Sequence, residues 1–178
     1  VSTFVMLSKQ LRPSGLCSVR IGSSALHGQG VFAARHIRRG ELITTHPCHY
    51  ITISLGQTSA WFPADVSRRG ATEMLTKILY QYSAKVDGTP FSIACDPNDP
   101  VHPAACAQMI NDGASLERRD FSYDDLCDYV AESTRKQNCH FVTLAGFAVV
   151  AVASRDIERN EEVFASYGFS WWSNFLSQ

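Results

Sequence analysis

No two of the six cysteines (Cys17, Cys48, Cys95, Cys106, Cys127 and Cys139) form a C-x-x-C pair, so the spacing that builds a structural zinc cluster is missing. Scattered, mostly buried and reduced thiols fit a nuclear or cytosolic compartment, although an even count leaves bridges open. Neither sign of charge dominates: 16 basic residues face 17 acidic ones, for a formal charge of -1. That balance argues against a broad phosphate-neutralising surface and leaves at most a local patch for nucleic acid. No apolar run approaches the roughly 20 residues of a membrane span. The opening Val1 to Leu7 lacks the basic start and the small-residue cleavage site of a signal peptide. Internal repeats and low-complexity tracts are also missing. The valine at position 1 reads as the start of a piece excised from a longer protein.

What remains is an ordinary globular composition. With 178 residues, 45% hydrophobic and 19% charged, the chain is most simply one domain whose core stands on packing alone. Val31 to Ala33, Leu42 to Thr45, His49 to Ser54 and Phe91 to Cys95 are short β-rich runs set off by turn residues. Met74, Leu75, Ile78, Leu79 and Tyr82 recur at helical spacing, predicting a helix over about 66–85 that stops at Asp87-Gly88. Ala104 to Ile110 is read as one helical turn or two. Ser122 and Asp125 have the spacing of a capping box, and Leu126, Val130 and Tyr123 are assigned to one face of a second helix reaching Lys136. Cys139 to Leu144 and Phe147 to Ala153 pair as a hairpin. Many short strands interrupted by two helices give an α+β domain, mostly antiparallel.

Three blocks carry the chemistry. The first is Gly28-Gln29-Gly30-Val31-Phe32-Ala33, in which glycines permit positive φ and close backbone approach. Taken alone, G-x-G is more often an ordinary tight turn. The second is Met109-Ile110-Asn111-Asp112: Asn111 offers an amide donor and a carbonyl acceptor, suited to the polar end of a ligand, while Asn-Asp-Gly at 111–113 read alone is a turn. The third is Ala148 to Ala153, then Arg155-Asp156-Ile157-Glu158-Arg159-Asn160-Glu161-Glu162-Val163, then Tyr167-Gly168. It reads as a strand, a turn, a second short strand and a tyrosine before glycine. Asn160 tolerates the left-handed conformation that such a turn requires.

In this order and spacing the blocks resemble the SET-domain protein lysine methyltransferases, over most of residues 22–172. The resemblance implies a SET-type fold of several small, mostly antiparallel sheets, with a pseudoknot-like C-terminal threading and two inserted helices. It places an N-terminal flank at 1–21, the SET domain at 22–168 with a helical insertion at about 112–137, and a short aromatic C-terminal flank at 169–178. It implies S-adenosylmethionine as methyl donor, held by Gly28, Gln29, Gly30, Val31, Phe32, Asn111, Asp112, Tyr167, Phe169 and Trp171. Tyr167 is implied as the catalytic residue, and Phe164, Ala165, Phe169 and Trp172 as the walls of the substrate channel. No metal is called for.

Methyl transfer to an amine is mainly a matter of alignment, and a phenolic oxygen can orient the amine. The lysine must arrive neutral although its ordinary pKa is about 10.4, so an apolar channel helps. A basic histone tail is the implied partner and the nucleus the implied location, with the cytoplasm as alternative; oligomeric state is not legible. The chain departs from the family pattern at Asp112 (for histidine), Gln108 (for arginine), Gln137 (for proline), Asn160 (for glycine) and Ala165 (for an aromatic residue). Its insertion is similar to that of the plant histone monomethyltransferase branch. Residues 112–136 carry seven acids and four bases, a charge that can steer a basic tail or simply solvate a helix face. Two other readings stay open. One is a catalytically inactive SET-like module that binds a peptide or partner. The other is a metal or thiol enzyme using His46-Pro47-Cys48-His49 or Cys139-His140.

Overall fold

Among the described residues, period-two runs bounded by turns become nine strands in three separate antiparallel sheets. The computed structural model describes residues 18–55, 58–63, 82–95, 104–116, 120–144 and 148–176. β1 (Val19–Ser23) and β2 (Gln29–Ala33) form a hairpin in register from Val19↔Ala33 to Ser23↔Gln29. Its turn closes through Ser24 N–H to Gly28 O at 2.9 Å, with Gly28 at φ 49°. β3 (Leu42–Thr45) and β8 (Cys139–Leu144) flank β9 (Ala148–Ala153), whose continuous apolar run suits a central strand. The third sheet runs β5 (Thr58–Pro63), β4 (Tyr50–Leu55), β7 (Phe91–Ala94), β6 (Ser83–Lys85).

The core lies where the hairpin and the β9 sheet meet. Val31, Ile37, Ile43, Ile110, Ala151, Ile157 and Val163 are almost wholly enclosed there. The α+β architecture of small antiparallel sheets expected from the sequence is the observed one. The helix expected over 66–85 falls mostly outside the described residues; Tyr82, at its end, sits in a turn.

Two helices remain among the described residues, α1 (Tyr123–Lys136) and α2 (Phe169–Leu176), with a single 3-10 turn at Ala107–Met109. The capping box of α1 forms, with Asp125 N–H donating to Ser122 Oγ and Ser122 N–H to the Asp125 carboxylate. Its buried face matches the predicted one only at Leu126, which packs against Leu116, Tyr129 and Trp172. Tyr123 and Val130 are 78% and 51% exposed, while Tyr129 and Ser133 are buried. The reason is that this face is organised around a buried carboxylate, and hydroxyls reach it where aliphatic side chains cannot.

The second short strand expected after Arg155 is absent. The segment instead makes isolated bridges, Ile37↔Ile157, Phe32↔Glu162 and Asn111↔Phe164, the last one parallel. These bridges thread the C-terminal segment between two earlier ones. Phe164 O accepts from the backbone N–H groups of Asn138 and Cys139 at 3.1 Å each, and Ala165 N–H donates to Asn111 O at 3.0 Å on the other side. The Asn138 side chain, wholly buried, closes the crossing by donating to Glu162 O at 2.8 Å and accepting from Phe164 N–H at 2.8 Å. Asn160 holds φ 71° in the turn before it, as its tolerance of that region leads one to expect.

Candidate functional site

The crossing carries Asn111 beneath the glycine turn. Asn111 Nδ2 donates to His27 O, Gln29 O and Glu162 Oε1, each at 3.1 Å. The amide donor that the sequence offered to a ligand therefore holds the turn in shape. Glu162 is fixed from its other oxygen by Ser24 Oγ at 3.0 Å. Gly30 makes this approach possible, since a Cβ there would lie 2.1 Å from Glu162 Oε1 and 3.0 Å from Asn111 Nδ2. Gly30→Ala is expected to cost about 1–3 kcal/mol through displacement of the Glu162 carboxylate. Urea unfolding reads this, and an unchanged midpoint would contradict it.

Asp112 is wholly buried and is the hub of the site. Its Oδ2 accepts from Tyr129 OH at 2.7 Å, Tyr167 N–H at 2.9 Å and Trp172 Nε1–H at 3.2 Å. Its Oδ1 accepts from Ser133 Oγ at 2.6 Å and Ala114 N–H at 3.3 Å. One carboxylate thus joins α1, α2 and the Tyr167 segment. It stands behind the cavities described below and lines neither. Where the sequence suggests contact with a donor molecule, the structure gives Asp112 five hydrogen bonds within the protein and a place behind the cavity wall.

Tyr167 sits where two cavities meet. The larger, about 860 Å³, is walled by His27, Gly28, Gln29, Asn111 and Trp172. The smaller, about 270 Å³, is walled by Ser83 to Lys85 of β6, Phe141 and Thr143 of β8, and Ile110. Tyr82, Gln108, Tyr167 and Trp171 border both. The Tyr167 hydroxyl donates to Ile110 O at 2.8 Å, and its ring lies 4.5 Å from that of Trp171. Burial, reinforced by the Asp112 carboxylate, raises the phenol above its ordinary range. It consequently stays protonated through neutral and mildly alkaline pH.

Of the residues assigned from sequence to the donor and channel, Gly28, Gln29, Asn111, Tyr167, Trp171 and Trp172 border the larger cavity. Gly30, Val31, Phe32 and Asp112 lie behind its wall: Val31 is in the core and the Phe32 ring lies under the Arg20 guanidinium. Ala165 is 1% exposed within the core, and Phe164 is held in the crossing. Neither is a channel wall. Phe169 turns away to pack edge-to-face on Phe121 at 5.4 Å. Sequence reasoning missed His27, Tyr82, Tyr129 and Ser133. Only His27 carried a local signal, by preceding the glycine turn.

His46 borders the smaller cavity, and its Nδ1 pairs with Pro47 O at 2.8 Å. Burial lowers its pKa to about 4, with the Pro47 carbonyl opposing and His49 adding to the shift. A depressed folded-state pKa gives stability that is complete above the unfolded value near 6.5 and is lost as pH falls toward 4. The loss is about 3 kcal/mol over that window. His46→Leu should flatten the acid limb of the stability curve, and an identical limb in the variant would remove His46 as its cause. Among the described residues no three His, Cys, Asp or Glu side chains converge as metal ligands. The Cys139 thiol is pushed up to about 12 by burial, which makes it a poor nucleophile.

The family model described as SET domain matches residues 28–168. No curated protein matches the sequence. Among solved structures, a protein of Plasmodium falciparum named as a candidate histone methyltransferase is 19% identical. That match covers 87% of this chain and 96% of the other, at a TM-score of 0.43. ATXR5 in complex with histone H3.1 carrying a monomethylated arginine is 16% identical, over 94% of this chain and 66% of that one, at 0.46. The ATXR5 SET domain with a dimethylated histone H3 gives 16%, 94%, 67% and 0.49.

Proposed function

The chain belongs to the SET domain family, and from that premise we propose that it is an S-adenosylmethionine-dependent protein lysine N-methyltransferase acting on a basic histone tail in the nucleus. The observation that carries this reading is the place of Tyr167 on the wall common to two cavities. Two pockets meeting at one polar atom suit a two-substrate transfer, because donor and acceptor must approach in line from opposite sides.

The larger cavity fits the donor. Its glycine turn, braced from beneath by Asn111, offers backbone groups for a zwitterionic end, and Trp171 and Trp172 offer flat apolar surface for a heteroaromatic end. When bound, the donor supplies a methyl group on a sulfonium: the amine lone pair forms the N–C bond as the C–S bond breaks onto sulfur, and the methylated ammonium later gives a proton to solvent. The protein's own part is positional. Tyr167, its proton committed to Ile110 O, keeps phenolic lone pairs available for an amine N–H or a polarised methyl.

The smaller cavity is bordered by β6 and β8, each an edge strand of its sheet among the described residues. An extended peptide can pair with such edges. Ile110, Phe141 and Val149 give apolar surface that favours a neutral amine over an ammonium. Exposed Asp124 and Asp128 on α1 steer a basic chain toward the site.

The test is calorimetric titration with S-adenosylmethionine, followed by mass spectrometry of core histones incubated with enzyme and donor. Saturable binding and a gain of methyl mass on lysine support the reading. If the folded chain gives no binding heat, the reading is lost and a peptide-binding module of the same family takes its place.

A further inference from the structure

The 3-10 turn Ala107–Met109 brings two carbonyl acceptors to the wall shared by the cavities. One, Ile110 O, is taken by the Tyr167 hydroxyl. The other, Gln108 Oε1, is buried and has no hydrogen-bond partner among the described residues. A buried carbonyl without a partner costs stability, so native proteins keep very few of them. Gln108 borders both cavities beside Tyr167 and Trp171, with Oε1 just beneath the wall. Its turn is pinned, with Met109 N–H donating to Cys106 O at 2.9 Å and Cys106 N–H to Thr44 Oγ1 at 3.1 Å. The acceptor is therefore presented from a fixed backbone. Its loss is recovered once a ligand donor enters the junction.

We propose that Gln108 is the specificity-determining acceptor for the substrate amine: Oε1 takes one N–H of the target lysine, turns the nitrogen lone pair toward the larger cavity, and blocks transfer of a third methyl. This rests on the methyltransferase reading given above. The limit on methyl number follows from hydrogen bonding. An unmodified or monomethylated amine has an N–H for Gln108 while its lone pair faces the donor. A dimethylated amine has no N–H left, so a third transfer would place a methyl in the slot that Oε1 keeps for one. An acceptor rejects a group that cannot donate far better than an apolar wall can. Ala165, at the position where the family pattern carries an aromatic residue, is enclosed in the core and contributes nothing to the junction.

Gln108→Met, similar in volume and apolar, separates the roles through three measurements. In thermal unfolding without ligand the variant should match or exceed the parent, since the unpaired carbonyl is gone; a clear fall in Tm would assign Gln108 a structural role and overturn the proposal. Binding of Nα-acetyl-lysine methylamide and of its Nε-trimethyl form, followed by tryptophan fluorescence, should show a parent preference of about tenfold for the unmethylated probe, one hydrogen bond's worth. That preference should vanish in Gln108→Met. Parent protein that binds both probes equally, or binds neither, overturns the proposal. With S-adenosylmethionine and core histones, the trimethyl-to-dimethyl ratio should rise about tenfold in the variant, and an unchanged ratio also overturns it. Where neither protein transfers methyl but the probe preference is present and Gln108-dependent, the amine acceptor stands and it is the transferase reading that has failed.

Discussion

Asp112→Ala is expected to lower stability by about 4 kcal/mol, a large share of the 5–15 kcal/mol typical of a folded domain. The carboxylate is the common acceptor for Tyr129 OH, Ser133 Oγ, Trp172 Nε1–H and the backbone N–H groups of Ala114 and Tyr167. Truncation leaves these donors facing one another in a space from which water is excluded. Asp112→Asn is the sharper variant. It keeps the volume and one carbonyl oxygen but turns an NH2 group toward one set of donors, so it should lose nearly as much as alanine despite being isosteric. Urea unfolding measures both. A loss below about 1 kcal/mol for either would mean that the hub is dispensable. Because the same oxygen holds Tyr167 N–H, donor affinity should fall together with stability in whatever folded fraction remains.

Tyr167→Phe is expected to reduce methyl transfer by about 10²–10³-fold, the size of effect found when one preorganised polar group is removed from a reacting centre. The ring keeps its packing on Trp171 at 4.5 Å, so the fold should survive and donor binding should change little. The lost group is the hydroxyl, held on Ile110 O at 2.8 Å. Loss of that contact also frees a buried carbonyl, which costs about 1–3 kcal/mol of stability. Single-turnover rates with the parent protein and the variant, each saturated with donor, separate chemistry from binding. Equal rates would remove Tyr167 from the reaction. The raised phenol pKa adds a pH criterion: no loss of parent activity near pH 10 traces to this tyrosine, since a raised folded-state value keeps the protonated form above the ordinary range.

The contrast between Tyr167 and Asp112 marks what could be read in the chain. Tyr167 was legible because it lies in a compound pattern whose spacing is local: a strand, a turn with Asn160 in the left-handed region, and a tyrosine before glycine. Asp112 was legible as a departure from that pattern and illegible in its role, since Tyr129, Ser133, Tyr167 and Trp172 lie 17, 21, 55 and 60 residues away. The α1 face failed for the same reason. Periodicity counts apolar residues and so selected Leu126, Val130 and Tyr123, of which only Leu126 packs inward, whereas the fully enclosed side chains are the two whose hydroxyls reach Asp112. Phe164, Ala165 and Phe169 were assigned to the channel by proximity to Tyr167 along the chain. Threading between Asn111 and Asn138 turned the first two into the crossing and the core.

Sequence by itself determined the α+β class, most of the strand runs, the α1 cap and the three blocks that place the chain in its family. Each of these rests on short-range physics: alternation along a strand, side-chain capping within one turn, or φ tolerance at glycine and asparagine. Tertiary structure alone decided that Asn111 braces the glycine turn, that Asp112 is an internal hub, and that Gln108 presents an unpaired acceptor where the two cavities meet. Those outcomes depend on which distant backbone and side-chain groups are brought within about 3 Å, the reach of a hydrogen bond. Spacing along the chain carries no record of that distance.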